Sequence, residues 1–104
     1  MSKQRFELGK VFISKKCLQH CRSNHVSFAN LLAKHASCNW GTVGRHVVAT
    51  NERSISGKEN FRLMSSYLVG DRNIWIVTSR LDGQGKREST AIFLPSEALN
   101  ANKR

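Results

Sequence analysis

Between Phe61 and Pro95 the chain reads FRLMSSYLVGDRNIWIVTSRLDGQGKRESTAIFLP, a stretch dense in β-branched and aromatic residues. Phe61, Leu63, Ser65, Tyr67 and Val69 alternate with Arg62, Met64, Ser66 and Leu68. In an extended chain the two sets lie on opposite faces, because side chains repeat with a period of two. Gly70-Asp71 follows at once and suits a tight reversal, since Gly accepts positive φ and Asp tolerates it. Asn73 to Ser79 (NIWIVTS) is a nearly continuous apolar run and reads as a central strand. Asp82-Gly83-Gln84-Gly85 makes a longer turn, and Ser89 to Leu94 forms a third strand that stops at Pro95, which has no N–H for a ladder bond. Three strands with one apolar face are not stable alone in water, so the N-terminal half is expected to cover them.

That half has the elements to do so. Phe6 to Ile13 (FELGKVFI) reads as a strand added to the edge of the meander. Ser14 can cap a helix from Lys15 to about Arg22, which Ser23-Asn24 would end. Ser27 offers a second cap, after which Phe28, Leu31, Leu32 and His35 form one stripe of an amphipathic helix. Asn39-Trp40-Gly41 breaks the pattern. The segment 43–55 fits a helix with Val47, Val48 and Asn51 on one side, or a strand at Val47 to Thr50, and the helix is favoured. Ser96 to Asn100 fits one helical turn, with the last residues fraying. The expected fold is α+β: one domain over 1–104, with a helical half at about 14–56 and a meander at about 61–95. Its antiparallel sheet of three or four strands carries two or three short helices on one face.

The 104-residue length allows a single core. No run approaches the ~18 apolar residues of a membrane span, and MSKQRFELGK lacks the apolar centre of a signal peptide. Three cysteines, an odd number, fit reduced thiols and a cytoplasmic protein. Seventeen Lys and Arg against seven Asp and Glu give a net charge of +10, which attracts polyanions. The cations are spread along the sequence, however. An evenly solvated surface and a nucleic-acid or acidic-protein surface both remain open.

No constellation of side chains commits the chain to catalysis. Cys17, Cys21 and His25 are four apart, and His35 and Cys38 could extend them toward a zinc-like set. There is only one close cysteine pair, though, and Asn24 interrupts the helix before His25, so core packing is favoured over metal. Nothing distinguishes one thiol as a nucleophile beside His20 or His25. The acids Glu7, Glu52, Glu59, Asp71, Asp82, Glu88 and Glu97 are isolated, and Gly83-Gln84-Gly85 does not open a helix as a phosphate loop would. The expectation is a non-enzymatic protein without catalytic residues, metal or cofactor.

Two tryptophans stand out. Trp40, just past the second helix with His35, is expected to plug the core, with a stacking surface as its alternative. Trp75 alternates with Ile74 and Ile76 and so faces the other side of the sheet. Partly exposed there and rimmed by Arg62 and Arg80, it would suit stacking on nucleic acid or protein. The expected contact set is Lys15, Lys16, Arg62, Trp75, Arg80, Lys86 and Arg87.

The order VSFANLLAKHASCNWG, RLMSSYL, IWIVTS and STAIFLPSE resembles that of small proteins known only as plasmid-related, carried on bacterial plasmids, integrons and other mobile elements. In that family a short helix pair ends in a His, followed by Trp-Gly, an Arg-Leu-Leu-Ser-Ala-Tyr-like strand, a Trp-containing strand and a Leu-Pro-Glu-Glu-Tyr-like end. His35, Trp40-Gly41, Arg62-Leu63, Tyr67, Trp75 and Leu94-Pro95 occupy those positions, and the resemblance spans about 8–97. The chain departs from the family in Cys38-Asn39 before Trp40, where members carry an acidic Gly-Asp, in TVGRHVVAT after it, and in Ala98 for the final aromatic. None of its cysteines matches a family cysteine. The family tends to be acidic, so the positive charge belongs to this chain. The resemblance implies a mobile-element origin and no activity.

Together these readings give an expected binding module that contacts nucleic acid non-specifically through phosphates. The alternative is a protein–protein inhibitor of a host defence complex, of anti-CRISPR or antirestriction type, meeting an acidic partner. An uncovered sheet edge would also permit a homodimer.

Overall fold

The computed structural model describes residues 4–101. The elements run β1 (Lys10–Ile13), α1 (Lys15–Ser23), α2 (Phe28–Ala36), α3 (Arg45–Ile55), β2 (Leu63–Val69), β3 (Arg72–Thr78), β4 (Ser89–Phe93) and α4 (Pro95–Ala101). This is the expected α+β architecture, with four short helices. The strands form one sheet in the order β1-β4-β3-β2. β2, β3 and β4 are the antiparallel meander. The expected edge strand is shorter than 6–13 and joins β4 in parallel, so the sheet is mixed rather than wholly antiparallel. Its direction follows from the connection: three helices separate β1 from β2, which lets the chain return to the same end of the sheet. The expected fraying of the last residues lies outside the described range.

Local chemistry sets the boundaries. Ser14 Oγ accepts from Cys17 N at 3.1 Å and donates to Glu97 Oε1 at 2.7 Å, tying the start of α1 to α4. Glu97 Oε1 also accepts from Leu94 N at 2.9 Å, closing the first turn of α4. Asn24 caps α1, and the ambiguous segment is helix α3. Gly70 makes the reversal between β2 and β3 at φ 62°, where an added Cβ would lie 2.4 Å from Asn24 Oδ1.

One face of the sheet is covered. Ile74 and Ile76 on β3, Ile92 on β4 and Val69 on β2 pack with Cys17 and Cys21 of α1 and Leu31 of α2. Beside this apolar cluster a chain of hydroxyls crosses the interior. His35 bonds Ser65 Oγ through Nδ1, and Thr78 Oγ1 at 2.8 Å through Nε2. Thr78 in turn meets Thr90 Oγ1 at 2.8 Å, and Thr90 donates to Leu8 O at 2.7 Å. Phe6 and Trp40 pack at 5.3 Å and 5.7 Å from the His35 ring. Trp40 is the expected plug, buried, with its indole N–H donating to Glu52 Oε2 at 3.0 Å.

The edge of β2 is closed by the segments before it. Asn51 of α3 donates to Met64 O at 2.8 Å and accepts from Met64 N at 3.1 Å. Trp40 O accepts from Ser66 N at 3.1 Å, and Ser66 O accepts from Thr42 N at 2.7 Å. Gly41 makes this approach at φ 73°, with the position of a Cβ only 1.9 Å from Ser66 O. β1, at the other end of the sheet order, has among the described residues a strand on one side only.

Candidate functional site

The sheet's second face points away from α1 and α2. Alternation places Met64, Ser66 and Leu68 of β2, Asn73, Trp75 and Val77 of β3, Ala91 and Phe93 of β4, and Phe12 of β1 on it. Phe12 and Leu68 are 58% and 62% exposed, while Trp75, Val77, Ala91 and Phe93 are half-buried. Trp75 and Phe93 are opposed across β3 and β4, and their rings meet edge to face at 6.2 Å. Phe12 pairs with Ala91, two residues from Phe93 on the same face, so the three rings stand on three adjacent strands.

An open groove of about 570 Å³ runs beside this aromatic row, floored by Val77, Ala91 and Phe93 and bordered by Phe61, Arg62 and Arg80. The groove's end is fixed by Asn60, whose side chain donates to Leu81 O and accepts from Leu81 N, both at 2.9 Å. Among the described residues the one ion pair is Arg53–Glu59 at 2.7 Å. Arg62 and Arg80 therefore have no carboxylate partner among those residues, although Asp82 and Glu88 line the adjoining groove with Arg80. The face thus combines flat apolar surface with uncompensated guanidinium groups, a combination that can stack planar groups and hold anions.

The expected contact set divides. Arg62 and Arg80 border the groove together, whereas Trp75 is on the same sheet face but does not line that groove. Lys15 and Lys16 are exposed on the first turn of α1, in the helical layer across the sheet. Lys86 is exposed where the second turn closes; there Asp82 Oδ1 accepts from Gln84 N at 2.8 Å and Lys86 N at 3.0 Å, holding the Asp82 carboxyl below its usual range. Arg87 must be removed from the set. It is 7% exposed, and its guanidinium donates to Ser79 O at 3.0 Å and to Phe61 O and Ser54 Oγ at 3.3 Å, 5.9 Å from the Phe6 ring centroid. Burial lowers its pKa. In the sequence it looks like its neighbour Lys86, but the turn directs it inward against main-chain carbonyls.

Phe12 and Phe93 were not singled out from the sequence. Alternation around the buried Ile92 puts Phe93 on the outer face, where its pairing with Trp75 depends on the register of β3 and β4. Phe12 could not be assigned a face without the register of β1.

The sulfur and imidazole groups are interior or scattered. Cys17 and Cys21 are buried, and burial raises both thiol pKa values, that of Cys17 to about 12. Burial also raises that of Cys38. His25 follows the α1 cap at φ 56° and is exposed, away from the face that Cys17 and Cys21 share. Among the described residues, no group of three or more His, Cys, Asp or Glu could hold a metal ion. The Ser65–His35–Thr78 chain is fully buried, and there it satisfies polar groups within the core.

Among the described residues, no helix is long and apolar enough to cross a membrane. No family model, curated protein or solved structure matches the chain.

Proposed function

We propose that the chain is a non-enzymatic module that binds nucleic acid through the uncovered face of its sheet, in the cytoplasm of a cell carrying a mobile element of the plasmid or integron kind. The observation that supports this most is the placing of Arg62 and Arg80, without carboxylate partners among the described residues, beside a groove floored by Val77, Ala91 and Phe93. The net charge of +10 adds long-range attraction. Contacts would be mainly to phosphates, so affinity would be low in sequence specificity and would fall steeply with salt. The origin rests on the order of motifs from Val26 to Glu97 described above.

A titration of labelled DNA and RNA against rising salt tests this reading. Binding at low salt that weakens linearly in log–log form supports it, and Arg62→Gln with Arg80→Gln should reduce the slope by about two phosphate contacts' worth. Absence of binding to either polymer at low salt retires it.

The protein–protein inhibitor remains the second reading, favoured by one observation: among the described residues β1 has a strand on one side only, and it exposes Val11 and Phe12, at 40% and 58%. Such an edge suits an added strand from an acidic partner. Recovery of one host complex, without direct binding to nucleic acid, would favour it.

A further inference from the structure

We infer that the preferred ligand of this face is a single-stranded polynucleotide, with unpaired bases stacked on Phe12, Trp75 and Phe93 and phosphates held by Arg62 and Arg80. The inference rests on the nucleic-acid reading above and adds the form of the ligand to it. Its basis is the register: Trp75 is opposite Phe93, and Phe12 of β1, which pairs with Ala91, lies diagonal to Phe93 of β4. Three neighbouring strands therefore present three rings on one side. Trp75 and Phe93 support one another edge to face at 6.2 Å, while Phe12 stands in water. Exposed aromatic surface of this kind gives a strand of alternating bases and phosphates both of its contacts, a flat apolar platform and a cation nearby.

A duplex uses only half of this. Its base faces are hidden in the stack, leaving groove edges and phosphates for the protein to touch. Arginines would serve it, but Phe12 and the open part of the half-buried Trp75 would remain in water. A second copy of the chain is disfavoured as occupant because two molecules of net charge +10 repel. Arg62 and Arg80 at the groove make the same argument locally.

The test compares labelled oligo(dT) and oligo(U) of about twelve nucleotides with a duplex of equal length, by anisotropy and by tryptophan fluorescence at low salt. The single strands should bind more tightly than the duplex and quench Trp75, whereas Trp40, 5% exposed and bonded to Glu52, stays unquenched. Trp75→Phe should abolish the quench and keep the binding. Phe12→Ser, at a position too exposed to endanger the fold, should weaken single-strand binding roughly ten-fold and leave duplex binding unchanged. Either sugar counts as support, and the difference between the two oligomers measures the part played by the 2′-hydroxyl. Equal affinity for duplex and single strand, unaffected by Phe12→Ser, overturns the stacking inference while nucleic-acid binding stands. Failure of all three polymers to bind ends both, and saturable binding of polyglutamate in their place would point to an acidic protein.

Discussion

Asn51 makes with Met64 both of the hydrogen bonds that a neighbouring strand would make, donating to its carbonyl at 2.8 Å and accepting from its N–H at 3.1 Å. One buried side-chain amide thereby stands in for a peptide group and fixes α3 along β2. Asn51→Ala should leave both main-chain groups of Met64 without partners, at a cost of about 3 kcal/mol. Urea unfolding reads the loss, and hydrogen exchange at the Met64 amide should rise ahead of exchange in β3.

Arg87 and Lys86 should separate cleanly on substitution. Arg87→Met orphans Ser79 O, leaves Phe61 O with Ser54 Oγ as its donor, and loses packing on Phe6, so a destabilisation of roughly 2–4 kcal/mol is expected. Lys86→Met should stay within about 0.5 kcal/mol. Thermal melts of the two variants side by side check this, and a mild Arg87 variant would contradict its interior role.

His35 makes the fold sensitive to mild acid. Burial lowers its pKa from 6.5 to about 4. The unfolded chain therefore takes up a proton before the folded one does. Stability from this group is complete above pH 6.5, declines as pH falls from 6.5 toward 4, and levels off below. The full decline amounts to about 3 kcal/mol. Unfolding free energies at pH 7, 5.5 and 4.5 measure it, and the His35 ring should remain in its neutral form by NMR at pH 5.5.

Gly41 should tolerate no side chain. Its φ of 73° is in the left-handed region, and a Cβ would sit 1.9 Å from Ser66 O. Gly41→Ala combines about 1–3 kcal/mol of backbone strain with displacement of the loop from β2, and should lower the melting temperature more than Gly83→Ala, where nothing lies within 4 Å.

Much of the fold was legible because its signals are local. Ser14 and Asn24 bound α1, Gly70-Asp71 makes the hairpin, and the alternation in β2 separates Leu63, Tyr67 and Val69 from Leu68. The same alternation gave Trp75 its outward face. Long-range relations were not written locally. FELGKVFI carries no mark of strand direction, so the parallel pairing of β1 with β4 could not be read. The inward turn of Arg87 depends on where Phe61 O and Ser79 O meet in space. Asn51 was visible on the apolar side of α3, and a buried amide there was a hint of a main-chain partner, but its partner lies thirteen residues away across a loop.

The two margins of the sheet have different fates. Along β2, Met64 and Ser66 are occupied by Asn51, Trp40 and Thr42, whereas among the described residues no strand lies on the outer side of β1. If copies of this chain ever joined along β1, each would use that margin on the other, and with Met64 and Ser66 already engaged on the opposite margin the assembly would favour a pair over a lengthening fibre.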